Sequence, residues 1–182
     1  MPSPDLPYAG FWRRLMAMWI DGTLVAAVDL AIYVLAPVNW GSFVAQSLAT
    51  KLAAAALEVY LVHRYGGTPG KLALGLRVVM ADGTPVTWAA ALYRIAISFP
   101  LGLARELAGL HVVMQIPQTE LGDMSWLQLG QRMHELETRL HKAIRLTQGA
   151  WVWADLFTML SNDRKRAIHD FVAGTVVIRV KP

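Results

Sequence analysis

Apolar residues in this chain gather into long blocks instead of recurring every three or four positions. Residues 15–36 form the first block and 43–62 the second. At about 1.5 Å of rise per residue, each reaches the roughly 30 Å of a bilayer's hydrocarbon core. The third block, 86–110, is longer and holds Pro100, which lacks a backbone donor and is expected to kink or split its helix. The fourth, 146–161, is short. Its roughly 24 Å calls for local thinning, tilt of its neighbours or anchoring by Trp151 and Trp153. The pattern predicts an all-α membrane protein, one domain over 1–182, with about four transmembrane helices.

Composition points the same way. Of 182 residues, 55% are hydrophobic and 16% charged, with a mean hydropathy of +0.38; a soluble domain of this size rarely carries so little charge. The lipid bilayer is therefore the first partner expected. The apolar stretch after Arg13 and Arg14 is too long and too charged for a cleaved signal peptide, so it reads as a permanent helix anchored by those arginines. Cysteine is absent, which excludes a disulfide framework, a thiolate metal site and a cysteine nucleophile. No residue pattern calls for a cofactor.

Charge sets the orientation. With four spans, the N-terminus, the loop 63–85 and the C-terminal tail share one side. That side carries Arg13, Arg14, Arg64, Lys71, Arg77, Arg164, Lys165, Arg166, Arg179 and Lys181. The loop 37–42 opposite has no Lys or Arg, and the long loop 111–145 has Arg132, Arg139, Lys142 and Arg145. Long loops weigh less in orientation, so both termini are expected in the cytoplasm, with the protein in the inner membrane. The net charge of +4 is mostly this asymmetry and needs no nucleic-acid partner.

Two stretches outside the spans have their own character. In 66–85, Gly66-Gly67-Thr68-Pro69-Gly70-Lys71 is turn chemistry, residues 76–80 are strand-like, and Asp82-Gly83 marks a tight turn before Pro85. A small cytoplasmic β-hairpin is the expected product. A phosphate-binding loop is excluded, because the spacing before Gly70-Lys71 is wrong and Leu72 stands where the magnesium-binding hydroxyl belongs. In the insert 111–145, Leu129, Met133, Leu136, Leu140 and Ile144 recur at spacings of three and four. They predict an extramembrane amphipathic helix between the third and fourth spans. It can lie on lipid, dock an envelope or membrane protein, or pair with its own copy in a homo-oligomer. His134, Glu137 and His141 read as a solvated face, so no metal site is expected.

Ionisable residues inside the spans are the strongest functional signal. A charge at a helix centre costs at least roughly 2.5–3.5 kcal/mol on insertion scales, so each one calls for a partner or a function. The first span holds Asp21 and Asp29, the second Lys51 and Glu58, the third Arg94, Arg105 and Glu106, and the fourth Asp155. Counted from the cytoplasmic ends, Asp21, Glu58, Arg94 and Asp155 all lie roughly 6–12 Å deep on four different helices. They are expected to meet in one cluster, where acids outnumber the base and a proton or small cation can be taken up. Lys51 lies deeper and shares a helix face with Glu58 across Ala54 and Ala55, small residues that let another helix approach. The competing reading is interhelical ion pairs that only fix helix register.

A set of ordered motifs adds a resemblance. Tyr8-Ala9-Gly10-Phe11-Trp12-Arg13-Arg14-Leu15 with Ala17, Ile20 and Asp21 opens it. Gly67-Thr68-Pro69-Gly70-Lys71, Gly75-Leu76, Asp82-Gly83-Thr84-Pro85 and Arg94 follow, and Arg166-Ala167-Ile168-His169-Asp170-Phe171-Val172-Ala173-Gly174-Thr175 closes it. Together they resemble the RDD family of membrane proteins, named for one arginine and two aspartates. The resemblance maps these onto Arg14, Asp21 and Asp170, and covers nearly the whole chain apart from 111–148. It implies transport, of which sodium–proton antiport has been attributed to at least one member. Arg14 and Asp21 share a helix face but stand roughly 10.5 Å apart along the axis, so different partners are expected. Asp170 is expected to reach Arg14 and latch the two ends of the chain, leaving Asp21 to turn to Arg94. His169 reads as interfacial.

Two functions follow. One is movement of H+, Na+ or a small solute through Asp21, Glu58, Asp155 and Arg94. The other is a non-transporting scaffold, assembly or protective subunit that binds its partner through the insert. No nucleophile–base pair stands out, so an enzyme is not expected.

Overall fold

A computed structural model describes residues 6–35 and 39–180. Ala36, Pro37, Val38 and Lys181, named above in the first span, the loop after it and the basic tail, lie outside the described residues. Two long helices come first, α1 (Phe11–Leu35) and α2 (Trp40–Tyr65). Asn39 starts α2 by a reciprocal cap, its Oδ1 accepting from Ser42 N at 2.9 Å while Ser42 Oγ accepts from Asn39 N at 3.1 Å. Gly66 ends α2 in the left-handed region at φ 76°, where a side chain would be strained. A short α3 (Pro69–Ala73) leads into β1 (Leu76–Met80).

The third apolar block is two helices, α4 (Trp88–Ile95) and α5 (Ser98–Val113), bent by 44° at the break. The split was expected at Pro100, and it falls at residues 96 and 97. The proline explains the offset: its ring clashes with the carbonyl four residues back, that of Ala96, while Pro100 itself sits in the first turn of α5, where a missing N–H is tolerated.

Beyond α5 come α6 (Gln118–Leu121), α7 (Trp126–Glu135) and α8 (Arg139–Leu160), then α9 (Ile168–Ala173) and β2 (Thr175–Arg179). The amphipathic helix expected across Leu129 to Ile144 is interrupted. The Thr138 hydroxyl accepts from His141 N at 3.2 Å and starts a new helix, so the repeat is shared between α7 and α8. α8 then runs unbroken through the expected fourth span. Its 22 residues reach roughly 33 Å, but the added turns carry Arg139, His141, Lys142 and Arg145, and α8 is not among the helices long and apolar enough to cross a membrane.

β1 does not fold back into a hairpin. It pairs antiparallel with β2, from Leu76 opposite Arg179 to Met80 opposite Thr175, nearly a hundred residues away. Asp82 does make the expected turn, its Oδ1 accepting from Thr84 N at 2.9 Å. Pro85 then follows, and Thr87 caps α4 by accepting from Ala90 N at 3.1 Å, so the chain leaves the strand edge for β2. Tyr8 bridges Ile178, and Arg179 N donates to Pro7 O at 2.7 Å. The start of α1, the 66–86 segment and the C-terminal segment thus form one cap around Ala9, Ala17, Val62, Leu76, Val78, Val86, Ala90 and Val177.

Outside this cap, many large apolar side chains are exposed. Among the described residues one helix, over Phe11–Ile32, is long and apolar enough to cross a membrane, and the bent α4–α5 pair passes as a second. α1 leaves Trp12, Met16, Trp19, Leu24, Val28 and Val34 exposed, the inverse of a soluble helix. A second core gathers Val113, Ile116, Leu121 and Leu129, with Trp40, Phe43, Met133 and Leu136 against it.

α3 sits on α1 because position 70 has no side chain. A Cβ on Gly70 would stand 2.3 Å from Ala17 O and 3.0 Å from Asp21. Gly70→Ala is therefore expected to cost about 1–3 kcal/mol by overpacking and to lower the melting temperature in detergent by several degrees. Gly22→Ala, which would meet nothing within 4 Å, should leave that temperature unchanged or slightly raised.

Candidate functional site

Asp170 is the fully buried centre of the cap. It stands third in α9, so its Oδ2 accepts from Ala167 N at 3.0 Å, one of the donors that a helix start leaves open. The same oxygen accepts from Arg14 Nη2 at 2.5 Å. Oδ1 accepts from Arg94 Nη1 and from the Thr175 hydroxyl, the latter at 3.2 Å. Arg94 Nη1 also donates to Thr175 Oγ1 at 2.5 Å. Arg14 Nη1 donates to Lys165 O, whose residue is held at φ 51°. One carboxylate thus joins α1, α4, α9 and β2.

The electrostatics follow from this crowding. Burial alone would raise the Asp170 carboxyl, but Arg94, His169 and Arg14 beside it hold it well below the usual aspartate range. His169 lies between two acids, its Nδ1 2.7 Å from Asp155 Oδ2 and its Nε2 3.6 Å from Asp170 Oδ1, while its backbone N donates to Asp155 Oδ1 at 3.1 Å. Asp155 therefore ties α8 to α9. Asn162 and Arg166 fasten the connecting loop: Arg166 N donates to Asn162 Oδ1 at 2.8 Å, Arg166 Nη2 donates to Asp170 O at 3.0 Å, and its guanidinium stacks 4.2 Å from the centre of the Phe171 ring.

Asp21 serves the other short helix. Its Oδ1 accepts from Gly70 N at 2.7 Å and its Oδ2 from the Thr68 hydroxyl at 2.5 Å. α3 begins with Pro69 and has no side-chain cap of its own, so a carboxylate from α1 caps it instead. Lys71 Nζ donates to Thr68 Oγ1 at 3.2 Å, completing a chain from ammonium through hydroxyl to carboxylate. Burial lowers the Lys71 pKa from its usual 10.5 although Glu58 and Asp21 pull it up, and Arg94 and Arg14 lower it further. Glu58, half-buried, makes no hydrogen bond or ion pair among the described residues.

The structure thus brings Arg14 to Asp170 as expected. It does not turn Asp21 to Arg94, because the open donors of α3 lie nearer to Asp21 and Arg94 is taken by Asp170 and Thr175. The four expected cluster residues divide. Asp21 and Glu58 neighbour Lys71, Asp155 is joined through His169 to Asp170, and Arg94 belongs to both neighbourhoods. Asp29 and Lys51 lie elsewhere, on a cavity described below. Of the expected docking stripe, Leu129 is buried and Met133 and Leu136 pack against the second core. Ile144 is half-buried and Leu140 alone is exposed, at 69%. The stripe was expected to be free because its partner, the start of α2 with Trp40 and Phe43, is remote in sequence.

Sequence reading passed over Thr68, Lys71 and Thr175 as site residues. The signal for the first two was the Pro69 helix start, whose open N–H groups require an acceptor. The signal for Thr175 was its place directly after Gly174.

The same order of arginine, aspartate and aspartate meets a known pattern. The chain matches the RDD family over residues 8–174. It belongs to the RDD family. The RDD protein is accordingly a membrane protein, and the resemblance read from its sequence implies Arg14, Asp21 and Asp170 as the arginine and two aspartates of the family name. No curated protein and no solved structure matches the RDD chain. In its fold Arg14 and Asp170 form one ion pair and Asp21 caps α3.

Removing one partner from a buried ion pair typically costs about 3–5 kcal/mol. Asp170→Asn should fall in that range, because it leaves two guanidiniums with no acid between them, and melting in detergent reads it. Arg14→Gln combined with Asp170→Asn should cost less than the two single changes added together. The pH dependence has a definite sign. With the folded pKa depressed, the stabilisation by Asp170 is complete above its ordinary value of 3.8 and drains as pH falls below that value. The loss of stability on acidification should be smaller in Asp170→Asn than in the native protein.

Proposed function

We propose that this RDD protein is a multi-pass inner-membrane carrier that takes up and releases protons at its cytoplasmic face and couples them to a small cation such as Na+. The observation that carries this reading is the hydrogen-bonded chain from Lys71 through the Thr68 hydroxyl to the Asp21 carboxylate, with unbonded Glu58 beside it. A proton can pass along such a chain as the amine gives up one of its own and the hydroxyl turns over. A lysine whose pKa is lowered by burial is suited to that exchange. No bond other than N–H and O–H need be made or broken, so the protein is no enzyme in this reading.

In this reading the spans are α1, α2, the bent α4–α5 pair and α8; α1 and the bent pair are long and apolar enough to cross a membrane, and α2 and α8, with 26 and 22 residues, have the length of a span. The N-terminal, 66–86 and C-terminal segments meet in one cap that carries most of the basic residues, which supports placing that cap in the cytoplasm. Four helices are few to enclose a path, so the outward apolar side chains of α1 serve lipid and a second copy in a homo-oligomer. The Asp170 lock holds the cap in place and does not itself exchange protons. The packing of Leu129, Met133 and Leu136 against the second core supports this reading over that of a scaffold that docks its partner through the whole stripe.

Lys71→Arg separates chemistry from structure, since arginine keeps the positive charge and cannot release its proton. In liposomes with an imposed Na+ or pH gradient, Lys71→Arg and Glu58→Gln should each slow proton movement at least about 100-fold while melting like the native protein. Native-like flux in Lys71→Arg would show that the lysine is only a fixed charge.

A further inference from the structure

Away from the cap, a cavity of about 550 Å³ lies between α1, α2, α5, α7 and α8, within the roughly 300–1,000 Å³ usual for small-molecule sites. Asp29 enters it from α1, Lys51 from α2, and Arg105 and Glu106 from α5. Among the described residues Asp29, Lys51 and Glu106 form no side-chain hydrogen bond or ion pair. Arg105 donates only to the neutral Gln148 Oε1, at 3.2 Å. The other cation on the wall, Arg145, is already held by Glu137 at 2.8 and 3.3 Å.

Two acids and two bases thus surround one space without pairing across it. Opposite charges attract across such a space, and a molecule bearing both charges can satisfy all four. Room for it is built in at Gly102, which is buried on α5. A Cβ there would stand 3.7 Å from both Lys51 Nζ and Gln148 Nε2, so the missing side chain leaves open the spot those two groups face.

We infer that this cavity binds a small zwitterion, an ammonium and an acidic anion on one molecule, with Asp29 and Glu106 receiving the ammonium and Lys51 and Arg105 the anion. Such chemistry is offered by a free amino acid and by the headgroup of an ethanolamine phospholipid. The site shares no residue with the Lys71 chain, so each reading can fail alone.

The test is calorimetric titration of the native protein in nanodiscs made only of phosphatidylglycerol, which carries no ammonium. The probes are glycine, β-alanine, γ-aminobutyrate and phosphoethanolamine, with propionate and propylamine as singly charged controls. Saturable binding of at least one zwitterion and none of either control is expected. Lys51→Met and Asp29→Asn should each weaken it at least tenfold. Gly102→Val keeps all four charges and fills the space between Lys51 and Gln148, so it should weaken binding as well, and it decides the matter if a charge variant fails to fold. Binding of an amino acid identifies a soluble ligand. Binding of phosphoethanolamine alone, with phosphatidylethanolamine retained through purification, identifies a lipid headgroup. Absence of zwitterion binding, equal binding of a control, or native affinity in Gly102→Val overturns the inference.

Discussion

A single buried carboxylate organises this protein. Asp170 has no access to water, so its charge persists only because two guanidiniums, a hydroxyl and a backbone N–H surround it. Each of those groups comes from a different stretch of chain, and each has few alternatives. Arg14 and Arg94 are themselves buried, and a buried arginine without an acid is as unfavourable as the reverse. The ends of α1, α4 and α9 are therefore held in mutual register by charge satisfaction, with apolar packing of small residues such as Ala9, Ala17, Ala90 and Ala91 filling in around them.

Asp21 and Asp170 do comparable work at different helices. Asp170 satisfies an open donor at the start of its own helix, and Asp21 does so for a helix elsewhere in the chain. Helices as short as α3 and α9 gain little from their own backbone ladder, so an acid near their first turn decides whether they form. The conformation of Gly70 and the hydroxyl of Thr68 then become consequences of the same need, since both present donors to Asp21. The difference between the two acids is access. Asp21 is half-buried and connects onward to Lys71, whereas Asp170 is closed on all sides.

Much of this was legible in the residues. The apolar blocks gave the helices, and the expectation that both ends of the chain share one side put Asp170 within reach of Arg14, where the structure has it. The break near Pro100 was legible in kind and displaced by the reach of the proline ring to Ala96. What escaped reading were pairings set by distance through space. The β-branched run from Thr175 reads as a strand, but nothing local says that its partner is Leu76–Met80 and not an adjacent hairpin arm. Leu129, Met133 and Leu136 read as an exposed stripe because Trp40 and Phe43 lie far back in the chain. Asp29, Lys51 and Glu106 read as separate intramembrane charges, and only the packing of α5 against α1, α2 and α8 turns them into the wall of one cavity.

The sheet has a consequence for biosynthesis. β2 is made nearly a hundred residues after β1, so the acid that neutralises Arg14 and Arg94 reaches them only after α1 to α8 have been synthesised. Until then the nascent chain carries two uncompensated cations and an open strand edge.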